Sequence, residues 1–96
     1  MATQITITSG VVTPMDDWNN PTIQVYTTVT NDKVKAHVVV KATLASTPTD
    51  DDWAVVSATP VNSGTYVFKV NNTTEGVKYT LVGENCTITS ALYQNE

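Results

Sequence analysis

Residues 34–44 read VKAHVVVKATL, the longest stretch of this chain in which apolar and polar side chains alternate. Successive side chains of a β-strand point to opposite faces, so this spacing predicts a strand with one buried and one exposed face. The residues predicted to face the core are Val34, Ala36, Val38, Val40, Ala42 and Leu44. The exposed face then carries Lys35, His37, Val39, Lys41 and Thr43.

The same alternation recurs along the chain, around residues 5–8, 23–29, 53–57, 65–70, 77–82 and 86–92. Turn-forming Gly, Pro, Asn and Asp residues separate these stretches. Eighteen threonines, fifteen valines and four isoleucines stand against three leucines, and β-branched residues pack well in sheets. The sequence therefore predicts an all-β protein in which residues 1–96 form one domain. The expected architecture is a single antiparallel β-sandwich, Ig-like or jelly-roll-like, of about seven strands.

The charge of the chain restricts its partners. Nine acidic residues outnumber five lysines, arginine is absent, and charged residues make up only 15% of the sequence. Because phosphate binding needs a basic surface, nucleic acid is not expected as a partner. No apolar run approaches the roughly 20 residues that cross a bilayer, so no membrane partner is expected either. The first residues show no secretory signal, which predicts synthesis in the cytoplasm.

No group of side chains predicts catalysis, so the chain is interpreted as a non-enzyme that needs no cofactor or metal. His37 is the only histidine and lies on the exposed face of its strand, whereas Cys86, the only cysteine, shares the inward face of its strand. The acidic run Asp50–Asp52 offers oxygen atoms to calcium, but it lacks the spacing of a calcium loop. The alternative is a solvated turn whose carboxylates cap backbone N–H groups.

The large side chains supply the candidate contact residues. Trp53 is expected to fill the core between the sheets, whereas Trp18 lies beside Asn19 and Asn20 in a loop and is expected to be exposed. Aromatic residues are favoured as interface anchors and also stack on sugar rings. The predicted contact residues, expected to be exposed or carried by loops, are Trp18, Tyr26, Val39 and Tyr93.

The C-terminal half reads DWAVV at 52–56, GTYVFKV at 64–70, GVKYTLV at 76–82 and TITS at 87–90. This succession resembles the small β-sandwich and Ig-like structural proteins of tailed-phage virions, including capsid decoration, head-fibre and tail-associated proteins. The resemblance implies a non-enzymatic virion component that is made in the host cytoplasm and binds major capsid or tail subunits. Homo-oligomerisation is a further alternative. From the aromatic residues, a carbohydrate- or host-surface-binding module that uses Trp18 remains the alternative function.

Overall fold

A computed structural model describes all residues from 1 to 96, and its regular structure is almost entirely β. The strands are β1 (Thr3–Gln4), β2 (Ile7–Thr8), β3 (Val11–Val12), β4 (Thr22–Val29), β5 (Ala36–Thr43), β6 (Ala54–Val61), β7 (Gly64–Lys69), β8 (Lys78–Glu84) and β9 (Cys86–Gln94). The only helical element is one 3₁₀ turn at Asp50–Asp52. The prediction of an all-β chain is confirmed.

The strands form three antiparallel sheets. A four-stranded sheet has the order β1-β9-β4-β7, a three-stranded sheet has the order β6-β5-β8, and β2 and β3 form a separate hairpin. Of residues 5–8, which were expected to form one strand, only Ile7–Thr8 belongs to a strand, β2, and Ile5 is buried between β1 and β2. There are thus nine strands rather than about seven. Three of the nine, β1, β2 and β3, are only two residues long.

One hydrophobic cluster lies among the sheets. It receives Ile23 and Val25 from β4, Ile88 from β9, and Val38 and Val40 from β5. The remaining buried members are Ile5, Val12, Trp18, Ala36, Val61, Val70, Tyr79, Leu81, Cys86, Ala91 and Tyr93. All three sheets contribute, so the alternating patterns of separate strands meet in one core.

The strand β5 is shorter than its alternating pattern predicts. Val34 and Leu44 lie outside it and are 54% and 86% exposed, so the expectation that both face the core is wrong. Val34 belongs to a turn, where its N–H donates to the Asn31 carbonyl oxygen at 3.2 Å. Thr43, expected to face outward, is buried. The alternation of residue types therefore extends beyond the strand itself.

Candidate interaction surface

The four predicted contact residues lie in two different environments. Tyr26 is 49% exposed, whereas Trp18, Val39 and Tyr93 are 0%, 6% and 7% exposed. The expectation of exposure is therefore wrong for the last three. Val39 points to the outer side of its sheet, but β5 is the central strand, and Val39 lies between Ala58 of β6 and Val82 of β8. Neighbours on both sides exclude water from a side chain that alternation alone places at the surface.

Trp18 is buried because its ring packs against Tyr79 and Tyr93. The rings of Trp18 and Tyr79 stack with centroids 5.3 Å apart and planes 11° apart, and the Tyr93 ring lies 6.0 Å from Trp18. The Tyr93 hydroxyl donates to the Asp17 carboxylate, at 2.8 Å from Oδ2. Burial, followed by this hydrogen bond to Asp17, raises the pKa of Tyr93. The cluster therefore stabilises the fold and offers no aromatic face to a ligand.

The loop that carries Trp18 is held in place mainly by backbone hydrogen bonds. Met15 exchanges two hydrogen bonds with Tyr79, at 2.9 and 2.7 Å, and the Gly76 N–H donates to the Asp16 carbonyl oxygen at 3.0 Å. The Asn19 N–H donates to the Asn95 side chain at 2.8 Å. These contacts join residues far apart in the chain, so the loop's own residue types gave no signal of its burial.

A broad exposed face covers the four-stranded sheet on the side away from the core. We call it the outer face, and it comprises Thr22, Gln24, Tyr26, Thr28, Thr65, Val67, Lys69, Thr87, Ser90, Leu92 and Gln94. Tyr26 lies between Thr65 of β7 and Ser90 of β9, and Gln24 lies between Val67 and Leu92. A shallow pocket of about 130 Å³ lies beside Gln24 and Val67.

The outer face is almost free of charge. Its only ionisable group apart from the Tyr26 phenol is Lys69 at one end, whose Nζ lies 3.1 Å from Glu96 Oε1. Val67, which is 62% exposed, is an apolar residue of this face that was not among the predicted contact residues. The signal was present in residues 64–69, GTYVFK, because alternation places Val67 on the polar side between Thr65 and Lys69.

A second concave surface lies beside the β2–β3 hairpin. This groove, of about 710 Å³, is lined by Val11, Lys41, Asp50, Trp53 and Thr80 among others. Trp53 is only partly buried and is not a member of the core cluster, so the expectation that it fills the core is wrong. The lining of the groove therefore includes an aromatic ring, a cation and a carboxylate.

The acidic turn has a local structural role. The Asp52 carboxylate Oδ2 accepts hydrogen bonds from the Thr49 N–H at 2.7 Å and from its hydroxyl at 3.1 Å. Such a cap satisfies the backbone N–H of Thr49, the residue that precedes the 3₁₀ turn. No group of three or more His, Cys, Asp or Glu side chains in the structure is placed to hold a metal ion.

His37 and Cys86 do not form a nucleophile and base pair. The His37 Nδ1 lies 3.3 Å from Glu84 Oε1, but the two atoms are not aligned for a hydrogen bond. Cys86 is buried and contacts the backbone carbonyl oxygen of His37 rather than its ring. Burial raises the pKa of the Cys86 thiol, which disfavours the reactive thiolate.

Comparisons of the chain with models of protein families, with curated proteins and with solved structures found no match. None of its elements is a helix long and apolar enough to cross a membrane. The resemblance to phage structural proteins therefore stays a prediction from the sequence.

Proposed function

We propose that this chain is a non-enzymatic structural protein of a bacteriophage virion. It decorates or stabilises the capsid, or forms part of the tail, through repeated protein–protein contacts. In this proposal the four- and three-stranded sheets are the two layers of a single sandwich, and the virion is where the protein resides after synthesis in the host cytoplasm. The observation that carries the proposal is the broad, nearly uncharged outer face around Tyr26 and Val67.

The physical argument rests on the cost of removing this face from water. Burying a charged group costs much more free energy than burying a hydroxyl or amide group that forms new hydrogen bonds. The outer face carries mostly Thr, Ser and Gln, with Tyr26 and Val67 as exposed apolar groups. Tyr is enriched at interface centres, and repetition on a particle multiplies modest single contacts.

The direct test is the protein content of purified particles. We expect mass spectrometry of gradient-purified phage from the source culture to find the chain in a fixed ratio to the major capsid or tail protein. Its absence from particles that carry every other structural protein would contradict the proposal.

The outer face itself is tested by substitution. Tyr26→Ala is expected to weaken binding of the purified protein to particles that lack it by roughly 10-fold or more, as for an interface hot spot. Leu44→Ala is the matched control, because Leu44 is 86% exposed but lies in a loop outside the outer face. Equal effects of the two substitutions would assign binding to another surface.

Carbohydrate binding is the second candidate function, and the groove at Trp53 favours it. Trp18 is 0% exposed and has no free ring face, whereas Trp53 lines the groove with Lys41 and Asp50. Aromatic rings pack against sugar C–H groups, and the neighbouring polar groups would orient hydroxyls. Glycan-array binding that is lost in Trp53→Ala and kept in Tyr26→Ala would support this candidate, and no binding to any glycan would eliminate it.

A further inference from the structure

The edges of the two larger sheets differ in how they are protected against pairing. The edge of β8 is partly covered, because Met15 bridges to Tyr79 and the Thr80 hydroxyl donates to the Val12 carbonyl oxygen. The edge strand β6 contains Pro60, and its pairing with β5 shifts register between Val40 and Lys41. The edge strand β1 is two residues long. Short edges, bulges and proline are devices that prevent sheets from joining.

The edge strand β7 has none of these devices. Its six residues, Gly64–Lys69, pair with β4 without a register shift and include no proline. Its exposed side chains are Thr65, Val67 and Lys69, and no charged side chain points inward. Lys69, at the end of the strand, is its only charge. This strand is the one regular, unprotected edge of several residues in the structure.

The backbone groups that face this free edge follow from the register. The Val70 N–H donates to the Pro21 carbonyl oxygen at 3.0 Å, so Val70 and Pro21 form a hydrogen-bonded pair. Hydrogen-bonded and non-hydrogen-bonded pairs alternate along an antiparallel ladder. The N–H and C=O groups of Phe68 and Tyr66 therefore point to β4, and those of Thr65, Val67 and Lys69 point away from the sheet.

We propose that β7 pairs antiparallel with β7 of a second copy of this chain, with Val67 on the two-fold axis. In this register Val67 lies opposite Val67 of the second copy, and Thr65 lies opposite Lys69. All three residues present outward-facing backbone groups, so the two strands form six hydrogen bonds. The partly buried rings of Tyr66 and Phe68 lie opposite each other at the inner side of the same edge.

The charges of β7 permit this pairing with itself. The two copies of Lys69 lie four residues apart along the joined strands, about 13 Å, which exceeds the Debye length of about 8 Å at physiological salt. Each Lys69 faces a neutral Thr65. A two-fold axis at Val67 therefore joins the two outer faces into one sheet surface without like charges side by side.

The biological use of this pairing rests on the proposed function, because β7 borders the same outer face. The pairing itself is tested separately. Light scattering on the purified chain over a range of concentrations measures the pairing, whereas particle composition measures the virion function. We expect a monomer–dimer equilibrium. A monomer at every concentration up to the solubility limit would overturn the pairing and leave the particle test unaffected.

A matched pair of substitutions tests the register. Thr65→Glu places a carboxylate opposite Lys69 of the second copy and is expected to tighten dimerisation by roughly 2- to 30-fold, from two symmetric cross-strand ion pairs. Thr65→Lys places like charges opposite each other and is expected to weaken it by a similar factor. Net charge alone predicts the reverse order, because Thr65→Glu makes an already acidic chain more negative. The reverse order would therefore overturn the register.

Cross-linking tests the position of the axis. Opposed residues of a hydrogen-bonded pair have Cα atoms about 5.5 Å apart, a distance that suits a disulfide. Val67→Cys is therefore expected to give a covalent dimer under mild oxidation. The native Cys86 is buried, so it does not compete for this disulfide. Val55→Cys is the matched control, since Val55 is 64% exposed on β6, an edge strand of the three-stranded sheet. Equal cross-linking of the two variants, or none in Val67→Cys, would overturn the proposal.

Discussion

At the scale of single residues, the two tryptophans follow similar acidic stretches but lie in opposite environments. Trp18 follows Asp16 and Asp17, and Trp53 follows Asp51 and Asp52. Trp18 is held over Tyr79 by a loop that is bonded to β8, whereas Trp53 precedes an edge strand and lines a groove. The burial of each ring depends on the strand beside it rather than on its own neighbours in sequence.

We predict that Trp18→Ala lowers the free energy of unfolding by about 3–5 kcal/mol, because it leaves a cavity beside Tyr79 and Tyr93. Trp53→Ala is the control and is expected to cost about 1 kcal/mol, since its ring is partly in water already. Urea denaturation followed by circular dichroism measures both. Equal losses would contradict the assignment of Trp18 to the core.

The Tyr93 hydroxyl makes stability depend on pH. Its pKa is raised above the ordinary value of 10.0 by burial and by the hydrogen bond to Asp17. The unfolded chain therefore loses this proton first, so the contribution of Tyr93 is complete below pH 10 and falls as pH rises through the folded-state pKa. Tyr93→Phe should remove this contribution to the loss of stability at alkaline pH. Near neutral pH it should lower the free energy of unfolding by about 1 kcal/mol. Parallel urea titrations of the two proteins between neutral pH and pH 11 measure the difference, and identical pH profiles would contradict it.

At the scale of elements, the turn between β8 and β9 requires a glycine. A methyl group on Gly83 would overlap the carbonyl oxygen of Cys86, which is backbone and has little room to move. Asn85, at the tip of this turn, has a φ of 56° and donates from its side chain to the carbonyl oxygens of Asn31 and Val34. The turn is therefore held by the close packing of Gly83 against Cys86 and by the hydrogen bonds of Asn85.

We predict that Gly83→Ala destabilises the protein by roughly 1–3 kcal/mol, because the turn must shift to admit the methyl group. Val82→Ala, one residue away and partly exposed, is the control and should cost less. Thermal unfolding of both variants tests the difference. A Gly83→Ala protein as stable as the wild type would show that the turn is adaptable.

At the scale of the whole molecule, the strand nearest the C-terminus is internal to its sheet. β9 lies between β1 and β4, pairing Tyr93 with Thr3 and Gln94 with Thr22. Its residues Ile88, Ala91 and Tyr93 are buried in the shared core. The four-stranded sheet is therefore incomplete until both ends of the described chain have come together.

We predict that deleting residues 86–96 abolishes the folded state, because β4 loses one of its two neighbouring strands and the core loses four members. Deleting residues 1–2, which lie outside every strand, is the control and should leave stability nearly unchanged. Circular dichroism and urea titration compare the two truncations. A cooperative unfolding transition in the longer truncation would contradict this role of β9.

The sequence by itself determined that the protein is all-β and determined the positions of its main strands. β-Branched residues and period-two alternation are local properties, and they identified β4, β5, β7, β8 and β9. They also placed Tyr26 on an exposed face and Cys86 on a buried one.

Only the tertiary structure decided which strands are central, which edges are free and which loop covers the core. Alternation specifies the side of a strand to which a residue points, but burial also depends on neighbours from distant parts of the chain. Val39 is buried between two strands and Trp18 under a bonded loop, whereas Val67 is exposed on β7 beside a row of backbone groups that no strand of this chain covers.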